Sequence, residues 1–419
     1  MDKELLRQIV AQQKNGLFGN KTIKRELLDE ISGSFKDNRI IILTGIRRCG
    51  KSTLLTQLME TKKKYCYVNF EDERFIDFKA QDFEQLNEVL IEIYGNPETY
   101  FFDEVQNIEK FETFVRRLQD QGKKVIITGS NASLLSKELG TRLTGRYKAF
   151  GVYPFSFSEF LAFKKIVPEK NWFFLAEKKV KLASLFSEYL LEGGLPEYLK
   201  YKDTTYVKTV FENILYRDII ARYSIRRQKL VKELVNILAT NVSLLFTYNA
   251  LKKSLGLSNA ITVKEYVSYL ENSFLFFEMQ KFDFSVRKQL NAPKKIFLAD
   301  SAFHKISGAN FSPNKGRLLE NLVFIELKRR GEETFYYAGN KECDFLVKNG
   351  TKIKEAMQVC YVLNKENRER ELNGLIEAMQ KFKLKQGIIL TFEQEEEIKI
   401  KNKKIKIVPT FKWLLENKW

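Results

Sequence analysis

The stretch Ile40-Ile41-Ile42-Leu43-Thr44-Gly45-Ile46-Arg47-Arg48-Cys49-Gly50-Lys51-Ser52-Thr53-Leu54-Leu55 decides the fold. Its apolar run, Ile40 to Leu43, reads as a buried strand, and Leu54, Leu55 and Leu58 read as the inner face of a helix. Between them the spacing G-x-x-x-x-G-K-S fits a Walker A loop. In such a loop glycines let backbone N–H groups curl around a polyphosphate, the lysine reaches the outer oxygens and the serine holds Mg2+. The helix that follows turns its positive dipole end toward the same anion. Gly45, Ile46, Arg47, Arg48, Cys49, Gly50, Lys51, Ser52 and Thr53 are therefore candidate nucleotide-binding residues, with ATP and Mg2+ as the expected ligands. The alternative is a glycine-rich turn with no ligand.

A chain of 419 residues is long for one core, and two or three domains are expected. A hydrophobic content of 44% with 34 phenylalanines excludes a disordered chain. The formal charge of +18 exceeds what solubility needs and favours a polyanionic partner, nucleic acid or an anionic membrane surface. No apolar run approaches a membrane span, and Met1-Asp2-Lys3-Glu4 opens a polar amphipathic helix instead of a signal peptide, so a cytoplasmic protein is expected. Cys49, Cys66, Cys343 and Cys360 form no C-x-x-C pair, which argues against zinc or a disulfide framework. The single histidine, His304, excludes multi-histidine metal sites.

A second strand, Tyr65 to Phe70, and a helix, Phe83 to Ile93, lead to a third strand, Tyr100-Phe101-Phe102, that ends in Asp103-Glu104. Downstream of a Walker A loop, a hydrophobic strand ending in an acidic pair supplies a Mg2+ ligand and a water-polarising carboxylate. Asp103, with Ser52, is the candidate metal residue, and Glu104 the candidate general base; Lys51 completes the catalytic set. Taken alone, the acidic pair could equally cap a following helix. The next strand, Lys124 to Thr128, ends in Gly129-Ser130-Asn131. Ser130 and Asn131 could orient water or sense a γ-phosphate, although Ser130 could as well cap a helix over Ser133–Leu139. Alternating strands and helices predict a parallel sheet with its ligand at the carboxyl edge.

The segments Thr44-Gly45-Ile46-Arg47-Arg48, Asn69-Phe70-Glu71-Asp72, Phe102-Asp103-Glu104-Val105-Gln106, Thr128-Gly129-Ser130 and Leu143-Thr144-Gly145-Arg146 together resemble the archaeal-type branch of the prokaryotic AAA+ ATPases. The resemblance implies an α/β P-loop NTPase (AAA+) domain followed by a second, little-characterised C-terminal domain. It also implies that Arg146 sits near the γ-phosphate of its own or a neighbouring subunit; a structural ion pair is the alternative. The Gly193-Gly194-Leu195-Pro196 turn and the helix bearing Tyr216-Arg217-Asp218-Ile219 fit the same pattern, and Arg217, Asp218 and Arg222 could form an ion-pair seam.

Domain limits are expected at 1–165 for the ATPase, 166–300 for a helical and winged helix-turn-helix region, and 301–419 for the tail. In the middle region, Val263, Tyr266, Val267 and Leu270 share one helix face, two strand-like runs follow, and Arg287 and Lys288 lie between them. A winged helix could place its second helix in a DNA major groove, or could serve only for packing. The tail order, a helix from Gly316, three strands, a helix and a strand, is similar to the PD-(D/E)XK nuclease fold. That similarity assigns Glu320 and Asp344 to a metal site, but Gln358-Val359-Cys360 stands where Glu-x-Lys is expected. Without that carboxylate and lysine, the tail is expected to be a non-cutting relic that binds a partner. The expected activity is Mg2+-dependent ATP hydrolysis linked to nucleic acid, DNA above all. The alternative is a nucleotide switch that binds a protein partner, or a further copy of itself, through the tail.

Overall fold

The computed structural model describes residues 1–16, 22–132, 145–306 and 314–416; the helix expected over Ser133–Leu139 lies outside them. Two compact units make up the structure: Met1–Tyr153 together with Asn272–Phe274, and Pro154–Glu271 together with Leu275–Trp419.

In the first unit five strands, β1 (Ile40–Thr44), β2 (Tyr65–Asn69), β3 (Thr99–Asp103), β4 (Lys124–Gly129) and β5 (Tyr147–Gly151), form one sheet in the order β2-β3-β4-β1-β5. Every pairing is parallel. β1 is buried along Ile40–Leu43 and β3 along its whole length, because helices cover both faces and no side of either strand meets water. The N-terminal helix Lys3–Asn15, capped by the Asp2 carboxylate, sends Leu6, Ile9 and Val10 into a core shared with Phe83, Leu86 and Val89 of the helix Phe83–Tyr94. Each of these buried side chains contributes about 1.5–3 kcal/mol relative to exposure. Because β4 lies between β1 and β3, the end of β4 falls between the loop after Thr44 and the carboxylates after Phe102, with Thr44 opposite Gly129 and Phe102 opposite Ile127.

The second unit begins with helices. Helix Ala176–Glu192 ends at Gly193, whose φ of +73° is left-handed and where a Cβ would lie 1.8 Å from Asp300 Oδ1. The Gly194 N–H donates to Asp300 Oδ2 at 2.7 Å, and the Ala302 N–H to Oδ1 at 2.9 Å. The Gly-Gly-Leu-Pro turn is therefore the seat of a buried aspartate. The Tyr216-Arg217-Asp218 segment lies in a π-helix, Ile214–Ala221, with Asp218 buried and Arg222 4.0 Å from it.

A helix, Gln228–Thr240, is followed by β6 (Leu245–Phe246), helices Tyr248–Ser254 and Ala260–Asn272, β7 (Phe276–Gln280) and β8 (Lys294–Leu298), whose antiparallel sheet runs β6-β8-β7. Val263, Tyr266, Val267 and Leu270 are the buried face of Ala260–Asn272. The helix Lys315–Arg329 then precedes β9 (Glu333–Ala338), β10 (Glu342–Asn349), β11 (Lys352–Val359), β12 (Gln386–Thr391), β13 (Glu396–Ile400) and β14 (Lys403–Pro409). These form a mixed sheet in the order β13-β14-β12-β11-β10-β9, with helix Arg368–Lys381 between β11 and β12. The unit boundary precedes residue 165, and strands on either side of residue 300 share one unit. Among the described residues no helix is long and apolar enough to cross a membrane.

Candidate functional site

The loop Gly45–Gly50 leaves the carboxyl end of β1 and enters helix Lys51–Glu60 at its N-terminus. Gly50 has φ +98°, and a Cβ there would lie 2.6 Å from the Arg25 guanidinium, so only glycine fits. Arg25 is buried and donates to the Cys49 carbonyl at 2.8 Å and to the Tyr153 carbonyl at 2.7 Å, which fastens the loop from behind. No local motif marks Arg25; its role depends on contacts across the sequence. Ile46 and Cys49 are buried, and burial pushes the Cys49 thiol up. Ser52 is exposed and Thr53 half-buried on the first turn of the helix. Arg48 holds the loop in a left-handed conformation, φ +65°, and Arg47 pairs with Glu71 beyond β2 at 2.7 Å.

Lys51, only 4% exposed, donates to the Gly45 and Ile46 carbonyls at 3.1 and 3.3 Å and lies 3.3 Å from Glu104 Oε1. Burial lowers its ammonium, but the charges of Glu104 and Asp103 outweigh burial and leave it above the ordinary value. Asp103 ends β3, accepts from the Thr128 hydroxyl of β4 and hydrogen-bonds with the Ser52 hydroxyl. Burial and the neighbouring Glu104 raise its carboxyl. Glu104 adopts a left-handed backbone, φ +49°, at the strand end, and its N–H donates to Thr128 Oγ1 at 2.9 Å. Burial opposes its ionisation, yet Lys51 and Gln106 hold its carboxyl below the ordinary range, so Glu104 is a carboxylate at neutral pH. Gln106 Nε2 donates to Glu104 Oε2 and reaches Ser130 Oγ at 3.3 Å. Ser130 and Asn131 are both buried beside this network.

Ser52, Lys51, Asp103, Glu104 and Ser130 thus meet at one edge of the sheet. Thr128 and Gln106 join them, although neither stands out by residue type. Arg146 does not. It immediately precedes β5, whose first residue pairs with Ile40, so it lies at the opposite edge from the loop, and it pairs with Asp120 at 2.6 Å. The expected contact with its own subunit's γ-phosphate is corrected accordingly: a parallel sheet places the residue before a strand a full strand length from the residue after it.

The residues fit a polyphosphate and a divalent ion. A helix N-terminus, a lysine with two of its three acceptors neutral, and a hydroxyl beside a carboxylate supply the donor set. Gln106 Oε1 is buried with no hydrogen-bond partner among the described residues.

A second cluster lies in the other unit. Lys295 Nζ of β8 donates to Glu320 Oε1 at 2.9 Å and Asp344 Oδ1 at 2.9 Å, and lies 2.7 Å from Glu342 Oε1. Burial lowers the Lys295 ammonium, and Asp344, Glu320 and Glu342 together raise it well above the ordinary value. Burial and Asp344 push the Glu320 carboxyl up to about 8. Gln358 Oε1 accepts from the Asp344 N–H at 3.1 Å, and its Nε2 donates to Glu371 Oε2 at 2.6 Å. Lys295 thus joins β8 to helix Lys315–Arg329 and to β10 through these acidic side chains.

Residues 37–161 match an AAA domain family, and residues 183–307 match a domain of unknown function (DUF8612). The uncharacterized protein MJ1544 of Methanocaldococcus jannaschii is 36% identical over 399 residues, 90% of this chain and 88% of the relative. An uncharacterized protein of Haemophilus influenzae is 30% identical over 400 residues, 91% of this chain and 96% of the relative. Among solved structures, the Walker-type ATPase PABY2304 of Pyrococcus abyssi aligns with a TM-score of 0.43 at 16% identity, covering 68% of this chain and 96% of that one.

Proposed function

For a chain that belongs to one family with MJ1544 and its Haemophilus influenzae relative, and that carries an AAA domain over residues 37–161, we propose Mg2+-dependent ATP hydrolysis. The observation that carries this reading is the convergence of Lys51, Ser52, Asp103 and Glu104 at the carboxyl edge of one parallel sheet. Lys51 and the loop N–H groups bind the outer phosphates. Ser52 and Asp103 would hold Mg2+, which would neutralise phosphate charge when bound. Glu104, ionised and steadied by Gln106, accepts a proton from the attacking water, while Ser130 and Asn131 line the same edge. The Lys51 contacts are with carbonyls and one carboxylate, all beyond 3.0 Å, so the ammonium can turn to phosphate at small cost.

The partner we propose is DNA. The order helix, strand, two helices and two strands, with its β6-β8-β7 sheet, supports a winged-helix reading of the middle region, whose helix Ala260–Asn272 exposes Lys264. Arg287 and Lys288, expected in a loop, are exposed on the short helix Val286–Asn291 between β7 and β8, on the connection that would meet phosphate. The charge of +18 favours the same partner. The experiment measures ATP hydrolysis and binding with single- and double-stranded DNA and RNA over a salt series. Hydrolysis with Mg2+, and DNA affinity falling steeply with salt, are expected. No hydrolysis would reject the ATPase reading. Hydrolysis without nucleic-acid binding at low salt would instead favour a nucleotide switch with a protein partner or a second copy.

A further inference from the structure

The tail's sheet, three antiparallel strands β9-β10-β11 extended in parallel by β12 and flanked by helices Lys315–Arg329 and Arg368–Lys381, supports the nuclease-like reading, which would call for a divalent metal at Glu320 and Asp344. The side chains present do not fit one. A lysine ammonium carries three N–H donors, and the three carboxylates of Glu320, Glu342 and Asp344 surround it at 2.7–2.9 Å. Asp344 spends its other oxygen on the Val359 N–H at 3.0 Å. Gln358, in place of a carboxylate, is committed at both ends of its amide, to the Asp344 N–H and to Glu371. Among the described residues no group of three or more His, Cys, Asp or Glu is placed to hold a metal. An ion at the point where these carboxylates converge would coincide with Nζ, and two cations cannot share that point.

We infer that Lys295 is the resident cation of this carboxylate cluster, standing where a divalent metal would bind and closing the tail to metal-dependent chemistry. The lysine is well anchored: β8 is the central strand of its sheet, and Lys295 pairs with Leu245 on one side and Met279 on the other. Its side chain is 4% exposed, so water does not readily replace the carboxylates. The cluster consequently ties β8 to helix Lys315–Arg329 and to β10. Removing the ammonium while keeping the aliphatic stem takes away the cation and leaves the side chains of Glu320, Glu342 and Asp344 to gather a divalent ion in its place.

The inference goes beyond the ATPase reading and is tested apart from it, because no nucleotide is added. Mn2+ alone is titrated into the full-length wild type, Lys295→Met, Lys295→Met/Asp344→Asn and Asp344→Asn, with free Mn2+ followed by electron paramagnetic resonance. Lys295→Met is expected to bind one more Mn2+ per chain than wild type, to lose it in the double variant, and to gain thermal stability from Mn2+ where wild type does not. Should Lys295→Met fail to fold, wild type and Asp344→Asn decide: equal Mn2+ binding supports the inference. It is overturned by a wild-type Mn2+ site that Asp344→Asn removes, by Mn2+-dependent cutting of supercoiled DNA that the same substitution abolishes, or by a folded Lys295→Met that gains no Mn2+.

Discussion

Lys51 and Lys295, one in each unit, both lie buried against acidic side chains, and their surroundings differ in kind. Lys51 has two neutral carbonyls and one carboxylate at 3.1–3.3 Å. Lys295 has three carboxylates at 2.7–2.9 Å. The first cation is loosely held at the mouth of a helix dipole, and an arriving polyphosphate offers it more than it gives up. The second has each of its three N–H donors engaged by an acidic side chain at a shorter distance, so a ligand would have to displace part of the structure. The same chemical ingredients thus give a lysine that a phosphate can recruit in one place and a fully engaged one in the other, and the charge and distance of the acceptors make the difference.

The largest effect is expected at Lys295. Replacing it with Met leaves buried carboxylates uncompensated and should cost about 3–5 kcal/mol. Urea denaturation followed by tryptophan fluorescence is a suitable measurement, since Trp172 and Trp413 belong to the second unit. Lys51→Met should instead cost little stability and reduce ATP turnover by ~10²–10³, as expected for loss of one preorganised donor to the transition state. Equal stability losses at the two lysines would erase the distinction.

A pH titration sharpens it further within the second unit. Burial raises the Asp300 carboxyl to about 6 from 3.8. The folded state therefore keeps this proton when the unfolded chain has lost it. The resulting stability is present in full below about pH 4 and is lost as the pH rises to about 6, by about 3 kcal/mol. Denaturation of Asp300→Asn at several pH values should show a shallower decline than wild type over that window. The smallest effect is expected at Arg146, whose exposed pair with Asp120 is worth less than about 1 kcal/mol. Arg146→Ala should leave stability and the turnover of dilute protein nearly unchanged. A loss of turnover that grows with protein concentration would show the arginine serving a neighbouring copy.

The first site is legible in the sequence because its parts are short contiguous signals: a β-branched run, a glycine-framed loop, a leucine-lined helix, and a strand ending in Asp103-Glu104. What those signals omit are the groups that arrive from a distance. Arg25 reaches the loop from before β1, and Thr128 is recognisable as a ligand of Asp103 only once β4 is known to lie between β1 and β3. Arg146 misleads for the converse reason, since a motif fixes neighbours along the chain and not which edge of a sheet they occupy. In the tail, Glu320, Asp344 and Gln358 can be found from the order of elements. Lys295 cannot, because it reads as the start of an ordinary strand in a preceding region and acquires its meaning only when that strand packs against the tail.

ATP turnover by Glu104→Gln, compared with wild type in Mg2+ and alongside nucleotide binding by both, shows whether Glu104 activates the attacking water. Turnover should fall by ~10²–10⁴ while ATP stays bound. Undiminished turnover in a variant that still binds ATP would contradict it.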